Sequence, residues 1–280
     1  MTAHGPHLST DDLRRLCETL YARTGMLFGE SKRYYIERRL YDRMSHAGAD
    51  SVAAYLGLLR HDEEEAARLI SAFTVNETYF YREDHQLRCL VRNLLPEVIR
   101  GKRAGDKVRI WSQPCSTGEE AYSIALWLLE NWPLVDAYNI EIVGSDIDRK
   151  ALDAARNGVY GPRSLARLSD DVVKAYFEPV KRGARRIIQD LRESVIFTES
   201  NLVDAASMAT QGAFDIVFCR NVLIYFDDAS RARAAELLYA SLVPGAFLCL
   251  GHTESMARID DRFTMRRFPD AIVYQRPEAD

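Results

Sequence analysis

Over roughly the first eighty residues, apolar side chains recur at intervals of three and four positions, and no run alternates between apolar and polar residues. This spacing puts the apolar side chains on one face of a helix, so it predicts helices only. The first helix has a capping box from Ser9 to Asp12 at its start and Gly25 as its stop signal. We therefore predict an all-helical N-terminal domain over residues 1–83. Its apolar stripes comprise Leu13, Leu16, Cys17 and Leu20, then Ile36, Leu40 and Met44, and then Leu69, Ile70 and Phe73.

The pattern changes after a linker helix and connection, which we assign to residues 84–105, with an apolar stripe from Leu87 to Val98. Strands then alternate with helices over residues 106–280, which predicts an α/β fold with a doubly wound, mostly parallel sheet. The run FDIVFC is apolar enough to be a central strand covered on both faces. Strands are predicted at Val108–Trp111, Ile140–Ile147, Phe214–Cys219 and Ala246–Leu250, helices at about Glu119–Glu130 and Arg149–Arg156, and a terminal antiparallel hairpin around Phe263–Arg267 and Ile272–Gln275.

A polar segment, Glu178 to Glu193, interrupts the passage from a helix to the strand that resumes at Val195. Residues 185–188 can form a short strand and residues 181–183 a turn. We therefore predict a small β flap at about 178–194, on the edge of the sheet.

Composition limits the classes of function. Of the 280 residues, 47% are apolar and 28% are charged, as in an ordinary globular protein. No apolar run approaches the ~20 residues that span a bilayer, and the first residues lack the basic and apolar segments of a secretory signal. We therefore expect a cytoplasmic protein. Its five cysteines are far apart and form no CxxC pair, which favours reduced thiols and no metal cluster.

The net charge of −4 disfavours a nucleic-acid substrate, because phosphate-binding domains usually carry a basic excess. Basic residues nevertheless cluster between Lys32 and Arg43. Lys32, Arg39 and Arg43 are seven and four residues apart, so they share one face of a helix. That face either docks an acidic partner or is a plain solvated face.

The segment Arg109–Leu126 predicts a strand, a tight turn and a helix whose free backbone N–H groups suit an anionic ligand group. The turn has only one glycine, Gly118, whereas a dinucleotide site needs three to admit a pyrophosphate. Glu119 and Glu120 begin the helix; they would repel a phosphate but could hold a cationic ammonium. The alternative is that they are first-turn acids favoured by the helix dipole.

Asp146 ends the next predicted strand, at roughly the distance expected for one strand–helix–strand unit. In doubly wound folds, an acid at this position commonly binds the ribose hydroxyls of an adenine nucleoside. The other role for an acid here, capping of the following helix, suits Asp148 better. A ligand with an amino acid end, a ribose and no phosphate is S-adenosylmethionine.

Two further motifs add polar and aromatic side chains. NETYFYRE at 76–83 joins the two domains, and its three consecutive aromatics cannot all face one core. Some of them face a cleft, or they pack a domain hinge. FDIVFCRNVLIYFD at 214–227 puts Arg220 and Asn221 directly after a buried strand, at the ligand-bearing end. Tyr225 follows four residues later, and it either faces the ligand or is a half-buried core tyrosine.

Taken together, these segments resemble the CheR family of chemotaxis receptor methyltransferases. The likeness runs from the N-terminal helices almost to the end of the chain. One departure is Ala121, where a proline is frequent in the family. The motifs that carry the likeness are NETYFYRE at 76–83, CSTGEEAYSIA at 115–125, SDID at 145–148 and FCRNVLIYFD at 218–227, supported by Asn201–Leu202 and by GHTES at 251–255.

The resemblance implies a class I methyltransferase sheet with a small β insertion, preceded by an all-helical domain. It also implies that S-adenosylmethionine is the methyl donor, with S-adenosylhomocysteine as product and no metal. The cofactor-binding residues that it implies are Asn76, Thr78, Arg82, Glu120, Asp146, Asn201, Leu202, Asn221 and Val222.

The acceptor implied by the resemblance is a glutamate side chain in the cytoplasmic domain of a methyl-accepting chemotaxis-type receptor. A glutamate is ionised at neutral pH, because its unperturbed pKa is about 4.3, so no general base is required. We expect Arg82 and Tyr225 to be the catalytic residues that orient this carboxylate. Receptor methylation segments in the family are glutamate-bearing helices, so Lys32, Arg39 and Arg43 are candidate receptor-binding residues of an enzyme that we expect to be monomeric.

Three alternatives stay open at this point. One is an S-adenosylmethionine-binding adaptor without turnover, which the presence of Arg82 and Tyr225 disfavours. Another is a nucleic-acid or small-molecule methyltransferase, although the amino-methylation signature of nucleic-acid enzymes has a proline pair where this chain has Arg220 and Asn221. The third concerns tethering: some CheR relatives bind a peptide at the receptor C-terminus through the β flap. This flap is short and has only Gly183, so we expect a reduced tethering loop.

Overall fold

The computed structural model describes residues 8–278, so the first residues, on which the secretory-signal expectation rests, lie outside the described part of the chain. The N-terminal part is helical, as predicted. Helix α1 begins after Ser9, whose side chain accepts a hydrogen bond from Asp12 N, and ends at Gly25 with φ 71°. The four helices are α1 Thr10–Thr24, α2 Arg33–Ala47, α3 Val52–Leu58 and α4 Glu63–Phe73.

A core of their own holds these helices together. Leu16, Ile36 and Leu69, one from each predicted apolar stripe, are completely buried in it. Phe73 is the last buried residue of this core along the chain, whereas Phe80 belongs to the core of the sheet domain. The domain bounds at residues 83 and 105 remain predictions.

The linker helix contains one irregular turn. Helix α5 (Asp84–Cys89) and helix α6 (Leu95–Val98) are separated by a π-helical turn at Leu90–Leu94. Leu95 N donates to Leu90 O, five residues back. Pro96 follows directly; it has no N–H, and its ring clashes with a regular helical turn before it. The proline therefore accounts for an interruption that apolar periodicity did not predict.

The second domain is a doubly wound α/β sheet, which confirms the predicted fold class. Its large sheet has the order β6-β2-β1-β7-β8-β10-β9, in which the first five strands are parallel and the last two form an antiparallel hairpin. The strands of the chain are β1 Lys107–Ser112, β2 Asn139–Asp146, β3 Val159–Tyr160, β4 Phe177–Pro179, β5 Arg185–Ile187, β6 Val195–Glu199, β7 Phe214–Cys219, β8 Leu242–Leu250, β9 Thr264–Arg267 and β10 Ile272–Gln275.

Helices cover both faces of this sheet, so consecutive residues of its central strands enter different cores. Ile110 on β1 belongs to one apolar cluster and its neighbour Trp111 to the other. The strand order reverses between β1 and β7, which is where ligands bind in folds of this kind. The helices of this domain are α7 Glu119–Asn131, α8 Arg149–Asn157, α9 Pro162–Leu165, α10 Asp170–Tyr176, α11 Gln189–Ser194, α12 Ala205–Ala209 and α13 Asp228–Ala240.

The predicted β insertion is confirmed, with two corrections. It is a separate three-stranded antiparallel sheet, β3-β5-β4, rather than an addition to the edge of the large sheet. Its third strand, β3, has only two residues, too few for a periodic pattern to show. Residues 189–194, which we had included in the flap, form helix α11.

Candidate active site

A tight loop connects β1 to α7 at the point where the strand order reverses. Gly118 precedes the helix with φ 94°, and a Cβ there would lie 2.8 Å from the Ala155 side chain. Glycine is therefore required both for the backbone conformation and for the approach of the loop to α8. Ser116 also has a positive φ of 51° and presents its backbone N–H to the end of the next strand.

Asp146 receives that N–H. Its carboxylate accepts hydrogen bonds from Ser116 N at 2.7 Å and from Asp148 N at 2.9 Å, and the side chain is buried. Burial raises the pKa of Asp146 to about 6, although the backbone hydrogen bonds oppose the shift. A buried carboxylate with lone pairs to spare at the carboxyl end of the second strand is suited to accept hydrogen bonds from ligand hydroxyls.

Asn76 and Asp148 connect this loop to the helical domain. Asn76 Nδ2 donates to Asp148 Oδ2 at 2.7 Å, and Asn76 Oδ1 accepts from Ser116 Oγ at 2.9 Å. Asp148 also accepts from the hydroxyls of Ser71 and Thr74, while capping α8 through Lys150 N and Ala151 N. The capping role predicted for Asp148 is confirmed, and the same side chain joins the two domains.

Glu120 lies in a charged cluster at the carboxyl end of β7. Arg220 Nη1 donates to Glu120 Oε2 at 2.7 Å, and Arg220 Nη2 lies 3.1 Å from Glu83 Oε2. Burial raises the pKa of Glu120 above its ordinary value, although Arg220 and a hydrogen bond from Ser112 oppose the shift. Burial would also raise the pKa of Glu83, but Arg220 and His252 together lower it.

This cluster carries an excess of negative charge. Two carboxylates, Glu83 and Glu120, share the single guanidinium of Arg220, so the arginine compensates only one of them when both are ionised; the other partner of Glu83 is His252 Nδ1, at 2.8 Å. A low-dielectric site with such an excess favours a cationic ligand group. The sequence predicted this role for Glu119 and Glu120, but Glu119 is buried away from the cavity lining and accepts hydrogen bonds from Thr117 and Ser164. It predicted that Arg220 lies at the ligand-bearing end, but not that Arg220 pairs with Glu120 and Glu83. The signal available was an arginine placed directly after a wholly buried strand, since a buried arginine needs acidic partners.

The aromatics of NETYFYRE divide between core and cleft. Phe80 is fully buried and packs edge-on against Tyr160 and Phe177. Tyr79 lines the cleft instead, and Tyr81, with a positive φ of 58°, packs against a helix of the sheet domain. The expectation that some aromatics face a cleft is confirmed.

The cleft itself is a cavity between NETYFYRE, the β1–α7 loop and the segment after β7. Glu120 and Arg220 contribute to its wall together with Arg82 and Tyr225. Arg82 Nη1 donates to Glu77 O at 2.7 Å, and within residues 8–278 its guanidinium makes no ion pair with a carboxylate. The lining residues are Val75, Glu77, Thr78, Tyr79, Arg82, Leu87, Pro114, Cys115, Ser116, Glu120, Ser123, Arg220, Asn221, Ile224 and Tyr225.

Tyr225 is half-buried and lines this cavity together with Arg82. Burial raises the pKa of Tyr225, while the positive charge of Arg82 opposes the shift. The phenol is therefore a hydrogen-bond donor at neutral pH rather than a base. Five of the sequence-predicted site residues meet here, namely Thr78, Arg82, Glu120, Asn221 and Tyr225.

The other predicted cofactor residues do not line the cavity. Asn76 and Asp146 reach it through Ser116. Asn201 Nδ2 donates to Arg23 O at 2.7 Å, so its amide connects the sheet domain to the end of α1. Leu202 is buried in an apolar cluster, and Val222 is partly buried against the same cluster. The roles predicted for Asn201, Leu202 and Val222 in ligand binding remain predictions.

Of the three basic residues predicted to share one helix face, Arg39 and Arg43 lie on α2, whereas Lys32 lies in the 3-10 turn that precedes it. Arg39 Nε donates to Ala72 O at 2.6 Å, and Arg43 pairs with the buried Glu65 at 2.5 Å, so both arginines brace α2 against α4. Lys32 is exposed and lines an apolar groove next to the cavity. The groove comprises Met26, Phe28, Ser31, Lys32, Tyr34, Tyr35, Phe73, Val75 and Tyr225.

Between residues 8 and 278, no group of three or more His, Cys, Asp or Glu side chains could hold a metal ion. None of the helices in this range is both long and apolar enough to cross a membrane. The cysteines are free, and burial raises the pKa of Cys115, the thiol next to the cavity, so it is a poor nucleophile.

Comparisons with known proteins identify the family of the chain. Models of the CheR methyltransferase all-alpha domain and of the CheR methyltransferase SAM binding domain match residues 11–74 and 76–272. Chemotaxis protein methyltransferase 2 of Vibrio cholerae is 43% identical, with 96% of this chain and 94% of that protein covered. Chemotaxis protein methyltransferase 2 of Pseudomonas aeruginosa is 35% identical, with 89% and 88% covered. The two models together span most of the chain, which therefore belongs to the CheR methyltransferase family.

Proposed function

We propose that this methyltransferase transfers a methyl group from S-adenosylmethionine to glutamate carboxylates in the cytoplasmic domain of a chemoreceptor. The products are a glutamate methyl ester and S-adenosylhomocysteine. The observation that carries the proposal is the pairing of opposite charges in one cavity. Glu120 lines the cavity and shares Arg220 with Glu83, which does not line it, so the carboxylates of this cluster suit a cationic donor. Arg82 lines the same cavity and makes no ion pair among the described residues, so it suits an anionic acceptor.

The residues present fit the donor. Asp146 has carboxylate lone pairs for the ribose hydroxyls, and the Glu120 cluster provides the negative field for the ammonium or sulfonium. The turn at Gly118 contains one glycine, which suits a ligand without a pyrophosphate. When bound, S-adenosylmethionine supplies a methyl group that the positive charge on sulfur has already activated. We therefore propose a reaction without a metal ion, because the methyl group needs no Lewis acid to activate it.

The protein's part is to orient the acceptor. The Arg82 guanidinium and the Tyr225 hydroxyl each donate hydrogen bonds to a carboxylate, and two donors from different segments fix its direction. Hydrogen bonds donated by Arg82 and Tyr225 favour the ionised form of the carboxylate, so no base has to remove a proton from it. Arg82 should act mainly by positioning, since binding the ground state too tightly would slow the reaction.

The apolar groove beside Tyr225 supports a helical acceptor. Val75 and Tyr225 line both the groove and the cavity, so a helix lying in the groove could present a glutamate to Arg82. Tyr34 is 80% exposed at the groove and offers an apolar contact, and Lys32 offers a charge for acidic residues of the same helix. Of the three basic residues proposed for receptor binding, Lys32 is therefore the main candidate, with the protein acting as a monomer in the cytoplasm.

The test is methyl transfer from radiolabelled S-adenosylmethionine to purified receptor cytoplasmic fragments. We expect label on the fragment that is released as methanol by mild alkali, because methyl esters are alkali-labile whereas methylated amines are not. A fragment with its acceptor glutamates changed to alanine is the matched control. Label that resists alkali, or that appears on nucleic acid or on small amines instead, would overturn the proposed acceptor.

A further inference from the structure

Glu254 occupies a position that the methyl-transfer scheme above does not use. It lies in the loop that follows β8, and its carboxylate accepts hydrogen bonds from four backbone N–H groups. Three belong to consecutive residues after β7, with N–O distances of 2.7 Å for Asn221, 2.9 Å for Val222 and 2.8 Å for Leu223. The fourth is Gly251 N at 2.9 Å, within the same loop as Glu254.

The backbone on both sides is shaped around this carboxylate. Asn221 has a positive φ of 60°, which turns consecutive N–H groups toward one point and creates an anion-binding concavity. A Cβ on Gly251 would lie 2.7 Å from Glu254 Oε2 and 2.9 Å from Asn221 Nδ2, so only glycine allows the close approach. An unfavourable conformation of a non-glycine residue is retained where the surroundings determine it, and here four hydrogen bonds do so.

The segment that Glu254 binds carries cavity residues. The turn at Asn221 runs directly into a short 3-10 helix, Leu223–Tyr225, and Asn221, Ile224 and Tyr225 line the cavity. The far end of this helix is also fixed, because Leu27 N donates to Tyr225 O at 3.0 Å. Tyr225 is therefore held between Glu254 on one side and the helical domain on the other.

We infer that Glu254 is a positioning residue for methyl transfer, which acts on the reaction by fixing Tyr225 and Asn221 in the cavity. This inference rests on the proposed function. Glutamine at this position would replace one acceptor oxygen by an NH₂ group, which has no lone pair to accept the N–H groups that point at it. The turn would then lose about half of its hydrogen bonds while the side chain keeps its shape.

The inference predicts coupling between two residues rather than a simple loss of rate. Glu254→Gln should lower kcat for receptor methylation on the order of tenfold to a hundredfold, because small displacements of an orienting group have effects of this size. In a Tyr225→Phe background, the same substitution should lower kcat far less, on the order of threefold or below, since the hydroxyl that it displaces is already absent. Gly251→Ala, which disturbs the same contact from the other side, should show the same loss and the same coupling.

Asp215→Asn is the matched control. Asp215 is also a buried carboxylate that accepts a backbone N–H, from Arg109, but it lies at the opposite end of β7. It should leave kcat within about threefold of the parent and combine additively with Tyr225→Phe. If the parent and Asp215→Asn proteins methylate the receptor but the effects of Glu254→Gln and Tyr225→Phe on kcat are additive, the inference about Glu254 is wrong and the proposed function stands. Absence of receptor methylation by the parent protein would instead refute the proposed function.

Discussion

The buried Arg220 guanidinium donates a 2.7 Å hydrogen bond to Glu120, whose side chain is only 13% exposed. The same guanidinium donates to Arg82 O at 2.9 Å, so it contacts both the donor side of the cavity and the backbone of the segment that carries the acceptor-orienting arginine. Arg220 thus contacts both Glu120, which we assign to the methyl donor, and the backbone of Arg82, which we assign to the acceptor.

Arg220→Met should be strongly destabilising. It would leave the Glu120 carboxylate without its charged partner and Glu83 with His252 alone, and breaking a buried pair on one side typically costs about 3–5 kcal/mol. Arg14→Met is the control, because Arg14 pairs with Asp11 and Glu18 on the exposed face of α1 and exposed ion pairs contribute little to stability. Urea denaturation of both variants measures the difference. Equal free energies of unfolding would show that the cluster is not dependent on Arg220.

Asp146→Ala should weaken binding of S-adenosylhomocysteine on the order of tenfold to a hundredfold, because a lost hydrogen bond to a charged group costs about 1.5–3 kcal/mol. Titration calorimetry measures the affinity. An affinity equal to that of the parent protein would remove Asp146 from the binding site.

The raised pKa of Asp146 adds a pH dependence to the same binding reaction. Ligand hydroxyls donate to the ionised form, so binding lowers the pKa from its free value of about 6. Affinity should therefore be highest above that pH and fall as the pH drops through it. Asp146→Asn should remove this component, while any component from Glu120, whose pKa burial also raises, would persist. Identical pH profiles for the two proteins would contradict the assignment.

Arg82→Ala and Tyr225→Phe should leave the fold intact and reduce methyl transfer. Both side chains line the cavity, Tyr225 is only half-buried, and Arg82 makes no ion pair among residues 8–278 whose loss would unfold the protein. Arg82→Ala should lose most of the activity. Circular dichroism and cofactor affinity serve as checks on folding. If either variant melts without a specific loss of rate, its side chain is structural.

Much of this site could be anticipated from sequence, for identifiable reasons. The positions of Gly118, Asp146 and Asp148 are set by local features: Gly118 is in a tight turn, Asp146 ends a strand and Asp148 starts a helix. The sequence shows each of these features directly. Arg220 and Glu83 are far apart in sequence, and their pairing depends on how the linker helix packs against β7. Arg39 and Arg43 could be predicted only in part: helical periodicity correctly puts them on one side of α2, but only the tertiary packing shows that α4 lies next to them.

Those surroundings sharpen the prediction for receptor docking. Lys32→Glu should raise the Michaelis constant for receptor fragments and reduce its dependence on salt, because Lys32 is exposed beside the groove. Arg38→Glu reverses the charge of another exposed residue, which lies on α2 and does not line the groove, so it should have a smaller effect. Arg43→Glu should mainly destabilise the helical domain by placing two carboxylates together at Glu65. Kinetics that are unchanged across ionic strength in Lys32→Glu would indicate a plain solvated face.

The last prediction concerns the β insertion and the receptor C-terminus. Strand β4 is an edge of the three-stranded sheet, so it could in principle accept a peptide strand. The connection to β5 is tight, however: Lys181–Gly183 forms one turn, and Val180 N donates to Ala184 O at 2.8 Å. We therefore expect recognition through the groove and cavity alone, and no binding of a tether-type receptor C-terminal peptide in a calorimetric titration. Micromolar binding that is lost when residues 180–190 are substituted would show that this short turn suffices for tethering.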